Sequence, residues 1–419
     1  MKPYFFFICI FLALCSCATK TFSVKNEQHI SPGFLGISPD GSSLEEADCI
    51  LMDGLGAAWV RTTLRWTSVE REPGKWDYSY WDEYIDNGKT AGKKIMISLG
   101  FDNGYLYDDR KEHRDLTERE LPYFLEYVER TVLRYKGRVD AWEIWNEPNL
   151  TFWKGSDEHF IALAKAAAQR IRDIDPEAKI VSAAFWRTPK RYIRGMFEAG
   201  AMEHVDAVSF HPYAASPGYT LRLYEKLAAI LADYNYRGGI WVTEVGYPTH
   251  GWYPTRVSED KYPAYIVKTI AGLAVRGVNP IIWYELFDEY NKKKAPSNFD
   301  SENFFGIVYP DFSYKKGAFA YKLCSEYLSN TTYMPSAPER KDISKSVTSL
   351  FFRGEGRNAL ILWNTGIKRT VHLAIPDAMP IMHDIASDKE EMLTDDTIKL
   401  GRTPVFITWE GNFQPFELY

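Results

Sequence analysis

The sequence predicts an α/β protein, a (β/α)8 TIM barrel followed by a small C-terminal antiparallel β-sandwich domain. Three observations lead there. From residue 34 onward, eight short apolar runs alternate with longer amphipathic ones. The eight βα repeats follow one another in order, as a closed parallel barrel requires. After residue 328 the pattern changes to short alternating strands alone. The length fits as well: 419 residues accommodate a barrel of roughly 250–300 residues and a small partner.

The eight apolar runs are 34–38, 58–62, 94–99, 140–146, 179–184, 206–210, 240–244 and 280–285. Each is short and rich in Val, Ile, Trp or Phe, as expected of parallel strands covered on both faces. The intervening segments read as helices over 43–55, 76–94, 118–135, 157–174, 189–200, 220–234, 260–275 and 315–328. In 118–135, Leu121, Phe124, Leu125, Val128 and Val132 recur at three- and four-residue spacing and make one apolar stripe. An open doubly wound sheet is the alternative, but no Gly-rich phosphate loop follows the first strand. Residues 329–341 hold Asn330, Pro335, Ser336 and Pro338 and read as a linker. Strands at 347–352, 359–363, 370–374, 397–400 and 405–409 then suit a sandwich. The expected division is a leader over 1–17, a barrel over 28–328 and a sandwich over 342–419.

The leader has its own chemistry. Lys2 precedes an apolar run over 4–14, too short for a comfortable membrane span. Leu14-Cys15-Ser16-Cys17 resembles a bacterial lipoprotein signal, which implies lipid attachment at Cys17, with Cys15 as the weaker choice and a plain signal peptide as the alternative. Ala18 after that Cys implies the outer membrane. Export permits a disulfide between the remaining Cys49 and Cys324, on the first and last helices, though two buried thiols are the simpler reading. There is no Cys/His cluster at metal-ligand spacing, so neither a metal nor a cofactor is expected. Net charge is −6 without a basic stripe, which argues against nucleic acid. Aromatics are abundant, with 13 Trp, 27 Tyr and 24 Phe, and flat rings suit the C–H faces of sugars.

Barrel enzymes carry their chemistry at the C-terminal ends of strands. The fourth strand ends in Trp145-Asn146-Glu147-Pro148 and the seventh in Thr243-Glu244-Val245-Gly246. Arg61 ends the second, His211-Pro212-Tyr213 the sixth, and Trp283 the eighth. Two carboxyls can cleave a glycosidic bond when one gives a proton and the other attacks. In retaining enzymes they stand about 5–5.5 Å apart. There, two negative charges repel by roughly 3 kcal/mol at an effective dielectric near 20, or about two pKa units. One carboxyl thus keeps its proton while the other ionises.

These strand ends, taken together over 34–328, resemble the clan A glycoside hydrolases, nearest to families 39 and 5 and related bacterial groups. The third strand end, Leu99-Gly100-Phe101, lacks the His that some clan families place there. The resemblance implies a retaining (β/α)8 hydrolase with Glu147 as acid/base and Glu244 as nucleophile. It implies Arg61 and Tyr213 beside the nucleophile, His211 lining the pocket, Asn146 on the sugar 2-hydroxyl and Trp283 as a platform beneath the sugar. Arg65, Tyr284 and Glu285 are secondary candidates, as are the loop aromatics Trp66, Trp153, Trp186, Trp252 and Tyr253. In the sandwich, Trp363 and Trp409 are candidate sugar contacts with core packing favoured. The implied substrate is a β-linked oligo- or polysaccharide, with endo-β-glucanase action placed ahead of exo-acting β-glycosidase or xylosidase. A transglycosylase and a non-catalytic glycan-binding lipoprotein are the alternatives. A monomer tethered to a membrane by lipid is expected.

Overall fold

The structure is a computed structural model that describes residues 24–39, 44–251, 256–289, 301–340, 343–375, 378–411 and 415–419. The leader, Cys17, Trp252 and Tyr253 lie outside the described residues.

Eight parallel strands close into a barrel: β1 Leu35–Ser38, β2 Trp59–Leu64, β3 Lys94–Leu99, β4 Ala141–Ile144, β5 Ile180–Val181, β6 Ala207–His211, β7 Gly239–Val245 and β8 Ile281–Tyr284. Pairing of β8 with β1 and of β6 with β7 leaves no open edge. Eight helices cover them: α1 Glu46–Gly54, α2 Ser79–Thr90, α3 Leu121–Tyr135, α4 Asp157–Ile174, α5 Lys190–Glu198, α6 Pro217–Asp233, α7 Tyr262–Ala274 and α8 Lys316–Leu328. Each expected helix is present, with ends displaced by a few residues.

Local chemistry explains the elements. A capping box between Glu45 and Asp48 starts α1. Ser156 accepts the His159 N–H at 3.1 Å to cap α4, with Asp157 and Glu158 in the first turn. Helix α3 buries Phe124, Tyr127, Val128, Thr131, Val132 and Tyr135, a single stripe at helical spacing. Helix α7 differs, being buried nearly all round because it lies between the barrel and the sandwich.

Strand alternation fills the barrel in layers. The lowest layer is apolar: Trp59, Met96, Ala141, Val181, Ala207, Trp241 and Ile282, with Trp59 edge-on to Trp241 at 5.5 Å. Two residues further along the strands the inward positions turn polar: Arg61, Ser98, Glu143, Ser209 and Thr243, all buried. An apolar plug below and a polar layer above turn the polar inward groups toward the C-terminal mouth.

The sandwich pairs a seven-stranded sheet with a four-stranded one. Alternation again assigns the faces. Phe351, Leu360, Leu362, Ile407 and Trp409 face the smaller sheet, whereas Leu350, Phe352, Ile361, Trp363 and Phe406 join the core of the barrel unit. Trp363 and Trp409 are therefore packing residues, 0 % and 5 % exposed, and neither offers a face to a sugar. The domain boundary also differs from expectation. The strand Gln28–Ile30 pairs antiparallel with Thr331–Tyr333 in the seven-stranded sheet, so residues assigned to the barrel and to the linker both belong to the sandwich. Backbone pairing decided this, and short strands of mixed polarity carry little periodic signal. Cys49 and Cys324 are buried free thiols. No helix among the described residues is long and apolar enough to cross a membrane.

Candidate active site

Three backbone irregularities aim the side chains at the barrel mouth. Just past the end of β4, Trp145 is in left-handed backbone at φ 71°, and Glu147 follows at φ 43°. Non-glycine residues seldom adopt such φ, and they cluster at functional sites. The first turn sends the Trp145 ring outward against Phe101, Trp153 and Phe160. The second brings Glu147 over the barrel. Strand β7 carries the third. Val242 pairs with Ile281 and Val245 with Trp283, so three steps on β7 match two on β8. Such a bulge re-aims side chains, and here both Thr243 and Glu244 contact inward groups. Gly246 is required just beyond, since a Cβ there would lie 1.9 Å from the Tyr284 carbonyl oxygen.

The six remaining sequence-predicted residues come together. Arg61 NH1 donates to Glu244 Oε1 at 2.5 Å, and its NH2 donates to Asn146 Oδ1 at 2.8 Å. Tyr213 OH donates to Glu244 Oε2 at 2.8 Å. His211 Nδ1 lies 2.7 Å from Glu147 Oε1 and 3.4 Å from Glu244 Oε2, and its Nε2 is 3.1 Å from Thr243 Oγ1. Ligand-type atoms of Glu147, His211 and Glu244 all lie within 4.8 Å of one another.

The two carboxyls sit in unlike surroundings. Burial pushes the pKa of Glu244 up, but the charges of His211 and Arg61, with hydrogen bonds from Tyr213 and Arg61, outweigh it and hold the carboxyl below its ordinary value. Burial, then the neighbouring Glu244 charge, raises the Tyr213 phenol well above its usual range, so its proton stays in place to be donated. Burial opposes the charge of Arg61, yet Glu143 and Glu244 more than compensate and raise its pKa. Among the described residues no guanidinium bonds Glu147, whose side-chain partner is His211.

Glu143 was not singled out from sequence. It is fully buried and accepts from Arg61 Nε at 2.9 Å, Arg61 NH2 at 2.6 Å and Ser209 Oγ at 2.8 Å. Ser209 in turn lies 2.5 Å from Thr243 Oγ1. The signal was available: an acid inside an otherwise apolar strand, two residues past Ala141, must face the barrel interior. Tyr284 and Phe305 also border the site, edge-on to Tyr213 at 6.3 and 5.7 Å.

Trp283 is a correction. It is 0 % exposed, donates from Nε1 to Tyr262 OH at 3.2 Å and packs on Tyr247. Inward Ile282 fixes the alternation on β8, so Trp283 faces the helices and Tyr284 the mouth. Trp66 and Trp153 are also core, bonded to Glu70 and to the Ser156 carbonyl. Arg65 is exposed, 5.6 Å over the Phe101 ring. Trp186 is half-buried beside the Glu147 loop.

Two carboxylates and an imidazole at these distances have the donor chemistry of a metal site. The site supplies its own cation instead, because Arg61 takes one oxygen of Glu244 and Tyr213 the other. A divalent ion there would meet the guanidinium directly.

No family model matches the chain. An aryl-phospho-β-D-glucosidase of Bacillus subtilis (strain 168) is 22 % identical over 183 residues, which is 41 % of this chain and only 37 % of the relative's length. Among solved structures, a family 39 glycoside hydrolase from the gut symbiont Bacteroides cellulosilyticus WH2 superposes with a TM-score of 0.74 at 21 % identity, covering 91 % of this chain and 81 % of that one. A monomeric β-xylosidase from Caulobacter crescentus CB15 gives 0.64 at 16 % identity, over 91 % and 97 % of the two chains. The chain thus has the fold of the clan A glycoside hydrolases of family 39, a closed parallel barrel joined to an antiparallel sandwich.

Proposed function

We propose that the chain is a retaining glycoside hydrolase that cleaves β-linked glycans through a covalent glycosyl-enzyme intermediate. The observation that carries this reading is the unequal pair of carboxyls: Glu244 bonded by the Arg61 guanidinium and the Tyr213 hydroxyl, and Glu147, an oxygen of which lies within 4.8 Å of it, bonded by His211 and by no guanidinium among the described residues. Carboxyl oxygens that approach so closely suit the short separation of retaining enzymes and leave no room for the water that inverting enzymes place between carboxyls roughly 6.5–9.5 Å apart. In the first step Glu147 protonates the departing glycosidic oxygen while Glu244 attacks the anomeric carbon. Having given its proton to the leaving group, Glu147 stays ionised once ester formation removes the charge of Glu244, and it accepts a proton from the water that attacks the anomeric carbon and frees Glu244. Asn146, fixed by Arg61, is suited to the sugar 2-hydroxyl. A flat face at the sugar comes from Tyr284 in place of Trp283.

The relatives include, by name, a β-xylosidase, an endoxylanase and an aryl-phospho-β-D-glucosidase. These names favour xylose- or glucose-type glycones and give no preference to the endo-β-glucanase read from sequence. The leader supports export and lipid attachment at Cys17, with the chain acting as a monomer beside the membrane.

The test is release of sugar from aryl β-glycosides and from xylans, β-glucans, mannans and galactans. Glu244→Ala and Glu147→Ala should each lose about three or more powers of ten in kcat. External azide should restore turnover of aryl substrates by Glu147→Ala with retained configuration. A folded wild type that releases nothing from the panel, or inverted azide products, would overturn the reading. Labelling by palmitate that Cys17→Ala abolishes would test the anchor.

A further inference from the structure

Beyond β5 a two-residue strand, Phe185–Trp186, pairs with Phe210 and His211 at the end of β6. Trp186 N–H donates to Asn149 Oδ1 and Asn149 Nδ2 donates to the Trp186 carbonyl, both at 3.0 Å. Trp186 is thereby fixed to the loop that carries Glu147. Arg187 follows in left-handed backbone at φ 56°. Its N–H donates to the His211 carbonyl at 2.9 Å and its Nε to the Tyr213 carbonyl at 3.0 Å. Its guanidinium carbon sits 4.3 Å from the Trp186 ring centroid and 5.7 Å from that of Tyr219.

This side chain is held from several directions by residues whose neighbours touch both carboxyls. Yet its terminal nitrogens make no hydrogen bond or ion pair among the described residues. Arg172 and Arg276, which are also withdrawn from solvent, each pair with a carboxylate, Asp206 and Glu225. Arg222 lies 5.3 Å over the other partner, Tyr219, and adds a second positive charge there. A stacked guanidinium with its Nε already engaged keeps two parallel N–H groups free, the geometry that takes a carboxylate or sulfate through two hydrogen bonds.

We propose that Trp186 and Arg187 form a subsite on the leaving-group side of the scissile bond, and that it takes a sugar unit bearing a carboxylate or a sulfate ester. The placement rests on the reading of Glu147 as the acid. The group that protonates the departing oxygen faces the departing sugar, and the Trp186–Arg187 strand is bonded to the loop of that acid. The glycone side, where Glu244, Tyr284 and Phe305 lie, is left to a neutral sugar.

The experiment is calorimetric binding to Glu147→Gln protein, which leaves ligands uncut. Oligosaccharides from glucuronoxylan are compared with the same material after carboxyl reduction, and those from a sulfated galactan with the desulfated material. The anionic member of at least one pair should bind about tenfold or more tightly than its neutral counterpart, and added salt should narrow the gap. Which pair responds identifies carboxylate or sulfate. Adding Arg187→Met should abolish the preference, Arg187→Lys should keep part of it, and melting temperatures should stay close to the parent's. Equal affinity within both pairs, absence of binding by both anionic ligands, or a preference that survives Arg187→Met overturns the proposal. Because no cleavage is read, failure here is distinct from failure of the hydrolase assignment.

Discussion

Glu244 takes its properties from the groups that touch it. Its carboxylate is held low against burial by His211, Arg61 and Tyr213. Removing the Tyr213 hydroxyl as Phe leaves one oxygen without its donor, so the Glu244 pKa must rise. The acidic limb of kcat/KM should then move to higher pH, with kcat down roughly ten- to hundredfold. A limb that stays in place in a pH–rate profile would show that another group sets it. Glu143 makes a different prediction, because it neutralises Arg61 from below without reaching the mouth. Glu143→Ala would strand a buried guanidinium and should cost about 3–5 kcal/mol in denaturant unfolding, whereas Glu143→Gln, which keeps an acceptor for Arg61, should cost less. How far the site was legible follows from the same residues. Asn146, Glu147, His211, Tyr213 and Glu244 could be read because each lies at or just past a strand end in a distinctive run, and Arg61 from the run Trp59–Thr62, although β2 continues beyond it to Leu64. Glu143 was overlooked because it precedes the distinctive run Trp145–Pro148, and Trp283 was misplaced because its facing depends on register, which one residue reverses.

At the scale of elements, the strand ends matter more than the strands. The bulge on β7 and the left-handed residues after β4 bring Glu244 and Glu147 to one place, and neither is visible as periodicity. The apolar runs located all eight strands, but the run over 179–184 yields only Ile180–Val181 as β5. The shortfall has a use, since the chain breaks there and resumes as Phe185–Trp186 beside β6. Gly246 holds the ends of β7 and β8 in close approach. Gly246→Ala must push Tyr284 and Glu244 apart. Its expected cost is about 1–3 kcal/mol in stability but on the order of a hundredfold or more in kcat/KM, because displacements near 1 Å suffice for that. Parallel thermal melts and kinetics on one aryl glycoside would separate the two effects.

The whole molecule is held together across the barrel–sandwich boundary, where Lys268 of α7 donates to the Arg402 carbonyl at 2.6 Å and lies 5.4 Å over the Trp363 ring. Burial, then the Arg402 charge, pushes its pKa down to about 8. Between there and the ordinary value of about 10.4 the unfolded chain holds a proton that the native chain has released, so the group's contribution to stability rises with pH across that window. The melting temperature of the wild type should therefore climb relative to Lys268→Met between pH 8 and 10, and identical slopes would mean that this amine keeps its proton.

The pairing of Gln28–Ile30 with Thr331–Tyr333 bears on how such a chain can be handled. The segment that leads into the first barrel strand and the one that leaves the last helix are zipped side by side within the sandwich sheet. The barrel is thus a ring whose clasp is made of the other domain. Cutting the chain after residue 328 removes the clasp, and grafting a foreign accessory domain in its place leaves the first strand without its anchor. The C-terminal portion is accordingly not a detachable appendage, and a library of trimmed or fused variants has to keep both ends of the barrel chain zipped in its sheet.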